Sequence, residues 1–416
     1  MRTTRGALIF IFILFLMDSY VFKVVTTLSN SVSPGTKIAL YSVYWLISVS
    51  AILGFLVFVF TRPDFMPRKV RTYLFATVMG LFLANLLAIV FFLIDDARRL
   101  VQWIVLKLFS GNSPEGNLAV EGVSRSTFMN WLGLAAGGSL FLSLIYGFGN
   151  KYNYQVKRLS LKFPNLPPSF RGLKIIHFSD VHSGSFTKKK AVQKGVEKIM
   201  AEKADLIIFS GDLVNDKAIE MKDYLDVFKK VKAPLGVYST LGNHDYGEYV
   251  RWPQDGVSKS ENLNNLKQIH HDLGWKLMMN EHIALKRKDE EIGIIGIENW
   301  SAKARFPKHG DMAKAYAGAG KYPFKILISH DPSHWEAQVQ SHYPDIDLML
   351  SGHTHGMQFG IEIPGFKWSP VQYVYKQWAG LYEKGNQKLY VNRGFGFIGY
   401  PGRVGLLPEI TVIELE

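Results

Sequence analysis

A helical membrane region followed by an α/β domain with a central sheet is what this sequence predicts, and three observations carry the prediction. Apolar residues crowd into four long blocks before residue 150. Beyond Asn150 the pattern changes to short apolar runs alternating with helical stretches. Five of those runs end in a cluster containing Asp, Asn or His. A chain of 416 residues has room for two or three cores. The composition shift divides it into 1–150, a transmembrane region of about four helices, and 151–416, a second domain.

The four blocks run from about Ala7 to Val25, Ile38 to Phe60, Tyr73 to Ile94 and Phe128 to Phe148. Each approaches the roughly 20 apolar residues a helix needs to cross a bilayer. No small-residue cleavage site follows the first block, so it reads as a retained span rather than a signal peptide. Asp18 reads as an interfacial residue near the end of that span, the alternative being that it faces the helix bundle. No span has Lys, Arg or Glu in its middle, and none contains Pro, which suits an anchor better than a transporter. Gly133, Gly137 and Gly138 give the fourth a small-residue packing face.

Loop charges set the expected orientation. Arg2 and Arg5 precede the first span, and Arg62, Arg68, Lys69 and Arg71 separate the second from the third. The positive-inside rule puts both sets in the cytoplasm, and four crossings return the second domain to that side. Arg98, Arg99, Lys107 and Arg125 in the third loop pull the other way, and the acids there (Asp95, Asp96, Glu115, Glu121) do little to offset them. The segment Arg98 to Phe109 reads alternatively as an amphipathic helix lying in the interface.

The formal charge of +13 is spread over both halves, 12 Lys/Arg against 6 Asp/Glu before residue 150 and 36 against 29 after it. Such an excess suits an anionic membrane surface or a phosphate-bearing substrate. With no basic stripe interleaved with aromatics, nucleic acid is not an expected partner. The chain has no cysteine, which excludes disulfides, thiolate nucleophiles and thiolate metal sites.

In the second domain strands are expected at Leu173 to Phe178, Leu206 to Phe209, Val237 to Thr240 and Ile292 to Ile297. Others fall at Lys325 to Ile328, Leu348 to Leu350, Lys388 to Val391 and Ile410 to Glu414. Helices are expected at Lys189 to Ala201, Ile219 to Val231 and Asn262 to Leu273. The clusters follow strands in order: Asp180-Val181-His182, Gly211-Asp212, Gly242-Asn243-His244-Asp245, Ser329-His330 and Gly352-His353-Thr354-His355. Strand carboxyl ends in an α/β sheet converge on one crevice, so oxygen and imidazole donors distant in sequence meet there. Any one cluster alone reads as a polar turn; the ordered set reads as a metal site.

That series resembles the calcineurin-like metallophosphoesterase superfamily over roughly Lys174 to Glu416. It is most similar to a membrane-attached branch that includes transmembrane phosphoesterases and UDP-diacylglucosamine pyrophosphatases. The tail Asn392-Arg393-Gly394-Phe395-Gly396 and the stretch Arg403 to Glu409 also fit that branch. Met357 stands where a glycine is common, and Glu298-Asn299-Trp300 replaces an aspartate-containing turn; neither is a ligand position. The resemblance implies a β-sandwich flanked by helices and two divalent ions, Mn, Fe or Zn. Asp180, His182, Asp212 and His355 would hold the first, and Asp212, Asn243, His330 and His353 the second, with Asp212 bridging. It makes His244 the general acid, with Asp245 accepting its other ring proton.

Arg393 reads equally as a phosphate contact or a structural ion pair, and the other seven histidines, His177, His270, His271, His282, His309, His334 and His342, as structural. Asp345 and Asp347 are read as leading into the strand before Gly352. Two aromatic-rich stretches, Tyr246 to Trp252 and Phe359 to Trp378, either seat an acyl chain at the bilayer or fill ordinary core. The expected activity is hydrolysis of a phosphate ester or pyrophosphate, with a lipid-linked phosphate as the leading substrate. A tethered enzyme for soluble substrates and a non-catalytic scaffold on the same fold are the alternatives.

Overall fold

In the computed structural model the described residues are 4–61, 65–109, 124–253 and 256–416. Arg2, Arg62, Glu115 and Glu121, which entered the charge reading, lie outside them. The chain divides into two compact units, Met1–Tyr146 and Gly147–Glu416.

The first unit is built on α1 (Thr4–Leu28), α2 (Pro34–Phe60), α3 (Arg68–Phe109) and α4 (Arg125–Asn150), each long and apolar enough to span a membrane. Proline at the first turn of α2 sits where no backbone donor is needed, and Ser33 caps it by accepting from Thr36 N. Many apolar side chains of the helices are exposed, Phe12, Ile38, Leu46 and Leu142 among them, as expected of a lipid-facing bundle.

Two expectations are corrected here. Asp18 is buried, not interfacial: Asn85 on α3 donates to its carboxylate at 2.6 Å, and Tyr44 on α2 donates to its carbonyl at 2.7 Å. Polar groups inside a bundle find each other because lipid offers them no partner. Arg98 to Phe109 forms no separate helix; it continues α3 without a break. Arg98 bonds back to Asp95 and forward to Gln102, spacings of three and four that hold one helical surface together. Gly133 and Gly137 do face α3, where a Cβ would meet the Ala88 and Ala84 carbonyl oxygens, whereas Gly138 faces open space.

The second unit is a sandwich of two six-stranded sheets. The first sheet contains β1 (Gln155–Leu161), β2 (Lys174–Phe178), β3 (Leu206–Phe209), β4 (Val237–Ser239), β5 (Lys276–Leu277) and β14 (Glu409–Leu415), in the order β1-β14-β2-β3-β4-β5. The second contains β6 (Glu281–Arg287), β7 (Glu290–Gly296), β8 (Lys325–Ile328), β9 (Leu348–Ser351), β12 (Gly380–Lys384) and β13 (Gln387–Val391), in the order β12-β13-β9-β8-β7-β6. A separate antiparallel hairpin pairs β10 (Ile361–Ile363) with β11 (Phe366–Trp368).

Side-chain alternation explains the layers. Ile175, Leu206 and Ile208 point between the sheets, where they meet Ile294, Ile326, Ile328 and Leu350. Their neighbours Ile176, Ile207 and Phe209 point the other way, onto helices α5 (Lys189–Ala201), α6 (Leu225–Phe228) and α7 (Lys259–Leu273). The outer face of the second sheet is covered in turn, Leu327, Met349 and Val391 packing on Met312, Trp335 and Val339. Strands covered on both faces read as unbroken apolar runs, which is why these were visible in the sequence. Helix α7 is fixed at both ends: Ser258 accepts from Glu261 N, and Gly274 closes it at φ +77°. The expected helix from Ile219 to Val231 is instead a 3₁₀ turn (Ala218–Met221) and the single turn of α6. Tyr224, at φ −122°, interrupts it and sends its ring edge-on against Phe186 at 5.2 Å.

Parallel β2, β3 and β4 in one sheet, and parallel β8 and β9 in the other, end on the same side of their sheets. The five polar clusters follow those ends.

Candidate metal centre

Backbone bonds between the loops set the site before any side chain does. Asp180 N donates to Gly211 O at 2.9 Å, and His182 N to Asp212 O at 3.1 Å, stitching the loop after β2 to the loop after β3. Gly352 N donates to His330 O at 2.9 Å, joining the loops after β8 and β9. Five side chains here leave backbones in the left-handed region: Asp180 (φ +53°), His182 (+47°), Asp212 (+61°), His353 (+72°) and His355 (+50°). Non-glycine residues hold such angles at a cost of about 1–3 kcal/mol each, and they gather where function over-determines the geometry. Gly242 and Gly352 are required by crowding: a Cβ on either would strike the Asp212 or the Asp180 carboxylate.

Two groups of donors result. Asp180, His182 and His355 bring ligand atoms within 4.8 Å of one another, and so do Asp212, His330 and His353. In the first group His182 Nε2 faces His355 Nε2 at 3.0 Å, and Asp180 Oδ1 lies 3.4 Å from the latter. In the second His353 Nδ1 lies 2.8 Å from Asn243 Oδ1 and 3.3 Å from His330 Nε2. Asp212 Oδ2 stands between the groups, 3.5 Å from His182 Nε2 and 3.2 Å from His330 Nε2. All seven residues are at least largely buried.

Neighbours fix which atoms point inward. Asn243 Nδ2 donates to Tyr249 Oη at 2.9 Å, turning its Oδ1 to the centre. His330 Nδ1 donates to Ser210 O at 2.7 Å, leaving Nε2 inward. His353 Nε2 bonds Tyr375 Oη at 2.8 Å, and that hydroxyl donates to Asp331 Oδ2 at 3.1 Å, leaving Nδ1 inward. Such outer partners orient metal-binding imidazoles. Tyr375→Phe is therefore expected to weaken metal binding about 10- to 100-fold, read by metal titration of the purified full-length chain, while its unfolding temperature stays near that of the parent.

Electrostatics agree with a cation-binding role. Burial pulls His182 down to about 3, His353 to about 4, and His355 well below its ordinary value, so these rings keep their lone pairs. At His330 burial is outweighed by the Asp212 carboxylate, which lifts it to about 10. Burial alone would raise Asp212, but His330 and its fellow imidazoles hold it well below the carboxylate range. Burial lifts Asp180 to about 6. Lone pairs of three imidazoles, two carboxylates and an amide thus face one another about 3 Å apart, while His330, protonated beside Asp212, would have to give up its Nε2 proton to a cation. That donor set fits borderline divalent cations such as Mn, Fe or Zn, and Asp212, standing between the groups, would serve both.

His244 is brought to the rim. It is half-buried, its ring edge-on to His182 at 5.0 Å, and its Nδ1 donates to Asn215 O at 2.7 Å. The expectation that Asp245 receives that ring proton is corrected. The Asp245 carboxylate accepts instead from the backbone N–H of Asp212, Leu213, Val214 and Gly242, at 2.8 to 3.2 Å. Four amides pulling on one buried carboxylate lock the loop after β3 to the loop after β4. Burial, reinforced by Asp212, lifts Asp245 to about 7.

Arg393 proves structural: it pairs with buried Glu409 and with Glu362. Of the seven other histidines, none joins either donor group among the described residues. His177 bonds Ser210, His270 bonds Ser239 and His334 bonds Ser329. The two aromatic stretches divide between the alternatives, Tyr375 and Trp378 being buried while Tyr249, Phe366 and Tyr373 are exposed. Sequence reasoning missed Asn215, Asp331, Tyr375 as an outer partner, and the buried guanidinium of Arg403. Arg403 donates to the carbonyls of His355, Arg393, Gly394 and Gly396, tying the last motif to the Gly394 turn.

A buried pair of Asp/His groups sharing one carboxylate, at the loop ends of a β-sandwich, defines the class of binuclear metallophosphoesterases. Comparison with known proteins agrees. A calcineurin-like phosphoesterase domain matches residues 173–357, and a domain described as the transmembrane part of a probable calcineurin-like phosphoesterase matches residues 4–150. The chain belongs to the calcineurin-like metallophosphoesterases, in a membrane-attached branch. It is 29% identical over 280 residues to a zebrafish (Danio rerio) transmembrane protein with metallophosphoesterase domain, covering 65% of this chain and 60% of that protein's length. It is 28% identical to the Bacillus subtilis metallophosphoesterase YkuE, over 71% of this chain and 98% of that one. It is 27% identical to the UDP-2,3-diacylglucosamine pyrophosphatase LpxG of Chlamydia muridarum, over 58% of this chain and 83% of that one.

Proposed function

We propose that this chain is a membrane-anchored hydrolase of phosphate ester or pyrophosphate bonds, working with two divalent cations on a lipid-linked substrate. The observation that carries it is the position of Asp212 Oδ2 between two buried Asp/His groups. Asp180, His182, Asp212 and His355 would hold one cation, and Asp212, Asn243, His330 and His353 the other. Bound there, the cations supply charge neutralisation at the phosphoryl oxygens and a water acidified toward neutral pH. The chain's own contribution begins with His244. With Nδ1–H held by Asn215 O, the opposite nitrogen of its ring is the one left to protonate the departing oxygen as its bond to phosphorus breaks. Asp245 takes no part in that transfer and keeps the two ligand loops in register.

Two observations support the lipid class. A groove of about 600 Å³ lies beside the Asn215 loop, with Ile219, Leu225, Trp252 and Val257 on its walls and Lys217 and Lys222 among them. Apolar walls with ammonium groups fit an acyl chain and its phosphate. One relative also bears the name of a pyrophosphatase acting on a diacylated nucleotide sugar. Charges on Arg5, Lys69 and Arg71 favour a cytoplasmic catalytic unit.

The test uses full-length protein stripped by chelator and refilled separately with Mn, Fe or Zn. Hydrolysis of bis-p-nitrophenyl phosphate should return with metal, at about two ions per chain, and lipid phosphates or pyrophosphates should be turned over faster than soluble esters. Metal-independent activity, or none with any of the three, overturns the reading; equal rates on lipid and soluble esters remove its lipid part.

A further inference from the structure

The large apolar side chains that the catalytic unit leaves exposed are not scattered. Ten are found among the described residues of 147–416, and seven of them lie within residues 357–381: Met357, Ile361, Ile363, Phe366, Tyr373, Val374 and Leu381. That segment begins two residues after His355. Scattered exposed apolar residues need no explanation, but a concentration of them does.

The hairpin at its centre is built inside out. Its register pairs Ile361 with Trp368, Glu362 with Lys367 and Ile363 with Phe366. Strand alternation therefore puts Ile361, Ile363, Phe366 and Trp368 on one face and the charged pair on the other. The charged face is the one turned to the protein. Glu362 bonds Lys157 at 2.9 Å and pairs with buried Arg393, while Lys367 bonds Ala379 O and Tyr382 Oη. The apolar face is the one left outside, with Ile361, Ile363 and Phe366 about half exposed. A hairpin on a water-soluble surface turns its apolar face in.

Cations fringe the patch. Lys376 is exposed within the segment, where it also pairs with exposed Glu336 at 3.3 Å, and exposed Arg305 and Lys308 stand on a neighbouring loop. Arg305 stacks on Phe306, which packs into the cluster of Val371, Tyr375, Trp378, Ala379 and Leu406 beneath the segment. Phe306 also meets His353 edge-on at 4.7 Å, so this fringe adjoins the metal centre. Apolar and aromatic side chains ringed by Lys and Arg match the boundary between acyl chains and anionic headgroups. A chain carrying four membrane-spanning helices always has that surface within reach.

We infer that the inverted hairpin β10–β11, with the flanking segment to Leu381, docks into the headgroup–acyl boundary of an anionic bilayer. Ile361, Ile363 and Phe366 enter the acyl edge, and Arg305, Lys308 and Lys376 meet headgroup phosphates. Together with the hydrolytic reading above, on which this last step rests, docking presents the metal centre to phosphates at the membrane surface rather than to bulk water.

Because the chain has no cysteine, single labels report on this surface directly. Full-length Ile363→Cys and Asp289→Cys, the latter exposed on the β6–β7 turn, each carry an environment-sensitive dye. Both are reconstituted into vesicles of phosphatidylcholine and phosphatidylglycerol with brominated acyl chains. The Ile363 label should be quenched at least about twofold and the Asp289 label hardly at all, and high salt or removal of phosphatidylglycerol should weaken the quenching. A third label at Tyr373→Cys should lose its quenching when Ile363→Asp and Phe366→Asp are added, two changes at exposed positions that leave the core intact. Equal quenching at 363 and 289, or none at either, overturns the inference. So does a label that stays wet in pure lipid and is shielded only in native membranes, which would mark a protein partner. None of these readouts depends on turnover, so failure of the hydrolytic reading is seen separately in the metal-restoration assay.

Discussion

Asp212→Asn should abolish metal-restored hydrolysis, by about a thousandfold or more, while the chain still folds. The substitution keeps the shape of the side chain and removes one negative charge and one acceptor oxygen. Both losses fall at one atom. Oδ2 is the oxygen lying between His182 and His330, and Oδ1 is already used to accept from His244 N at 2.9 Å. An asparagine that keeps the bond to His244 turns its NH₂ toward imidazole nitrogens that should meet cations. Among the described residues the only other carboxylate in either donor group is that of Asp180, which belongs to the first alone. Emission spectrometry of metal content should fall from about two ions per chain to one or none, with the unfolding temperature close to that of the parent. Two ions retained together with near-parental turnover would remove Asp212 from the centre of the mechanism.

The Asp212 loop shows why the proposed ligands were legible and their supports were not. Ligation needs particular side chains, so Asp, Asn and His after apolar strands leave a mark in the sequence. Orientation needs only an oxygen or an N–H, which any residue supplies: the acceptor that holds His244 is the backbone carbonyl of Asn215. The family resemblance implied that Asp245 takes the ring proton of His244, yet its carboxylate is drawn to four converging amides instead. The central strands were visible because both faces are covered and the runs are purely apolar. β1 and β6, with their charged and half-exposed positions, carried no such run. Alternation in Ile361-Glu362-Ile363 marks a strand face but not which face turns inward; that depended on Arg393 and Lys157 waiting with opposite charge. Tyr224 broke a well-spaced helical pattern because its ring gained a place against Phe186, a tertiary contact that outweighs one turn of propensity.

His244→Ala should separate the proton-transfer step from metal binding. His244 lies in neither donor group, so metal content should stay at the parental value. The rate loss should depend on the leaving group. An alkoxide leaves poorly without a proton, and removing its donor should cost about 10²- to 10⁴-fold. A nitrophenolate leaves unaided, so hydrolysis of nitrophenyl esters should fall far less. His244 suits the proposed task because it is half-buried at the rim, where a leaving group would depart, while the imidazoles of the donor groups are turned inward. The Asn215 carbonyl fixes its Nδ1–H, so the nitrogen that would meet substrate does not depend on Asp245. Asp245→Asn should consequently behave differently: disturbing the amide clamp should lower unfolding temperature and metal content together, with no dependence on leaving group. If His244→Ala slowed alkyl and nitrophenyl esters equally, or shed a metal ion, the ring would be acting on the ligand loops and not on the departing oxygen. The leaving-group comparison thus decides between two roles that a single rate measurement would confuse.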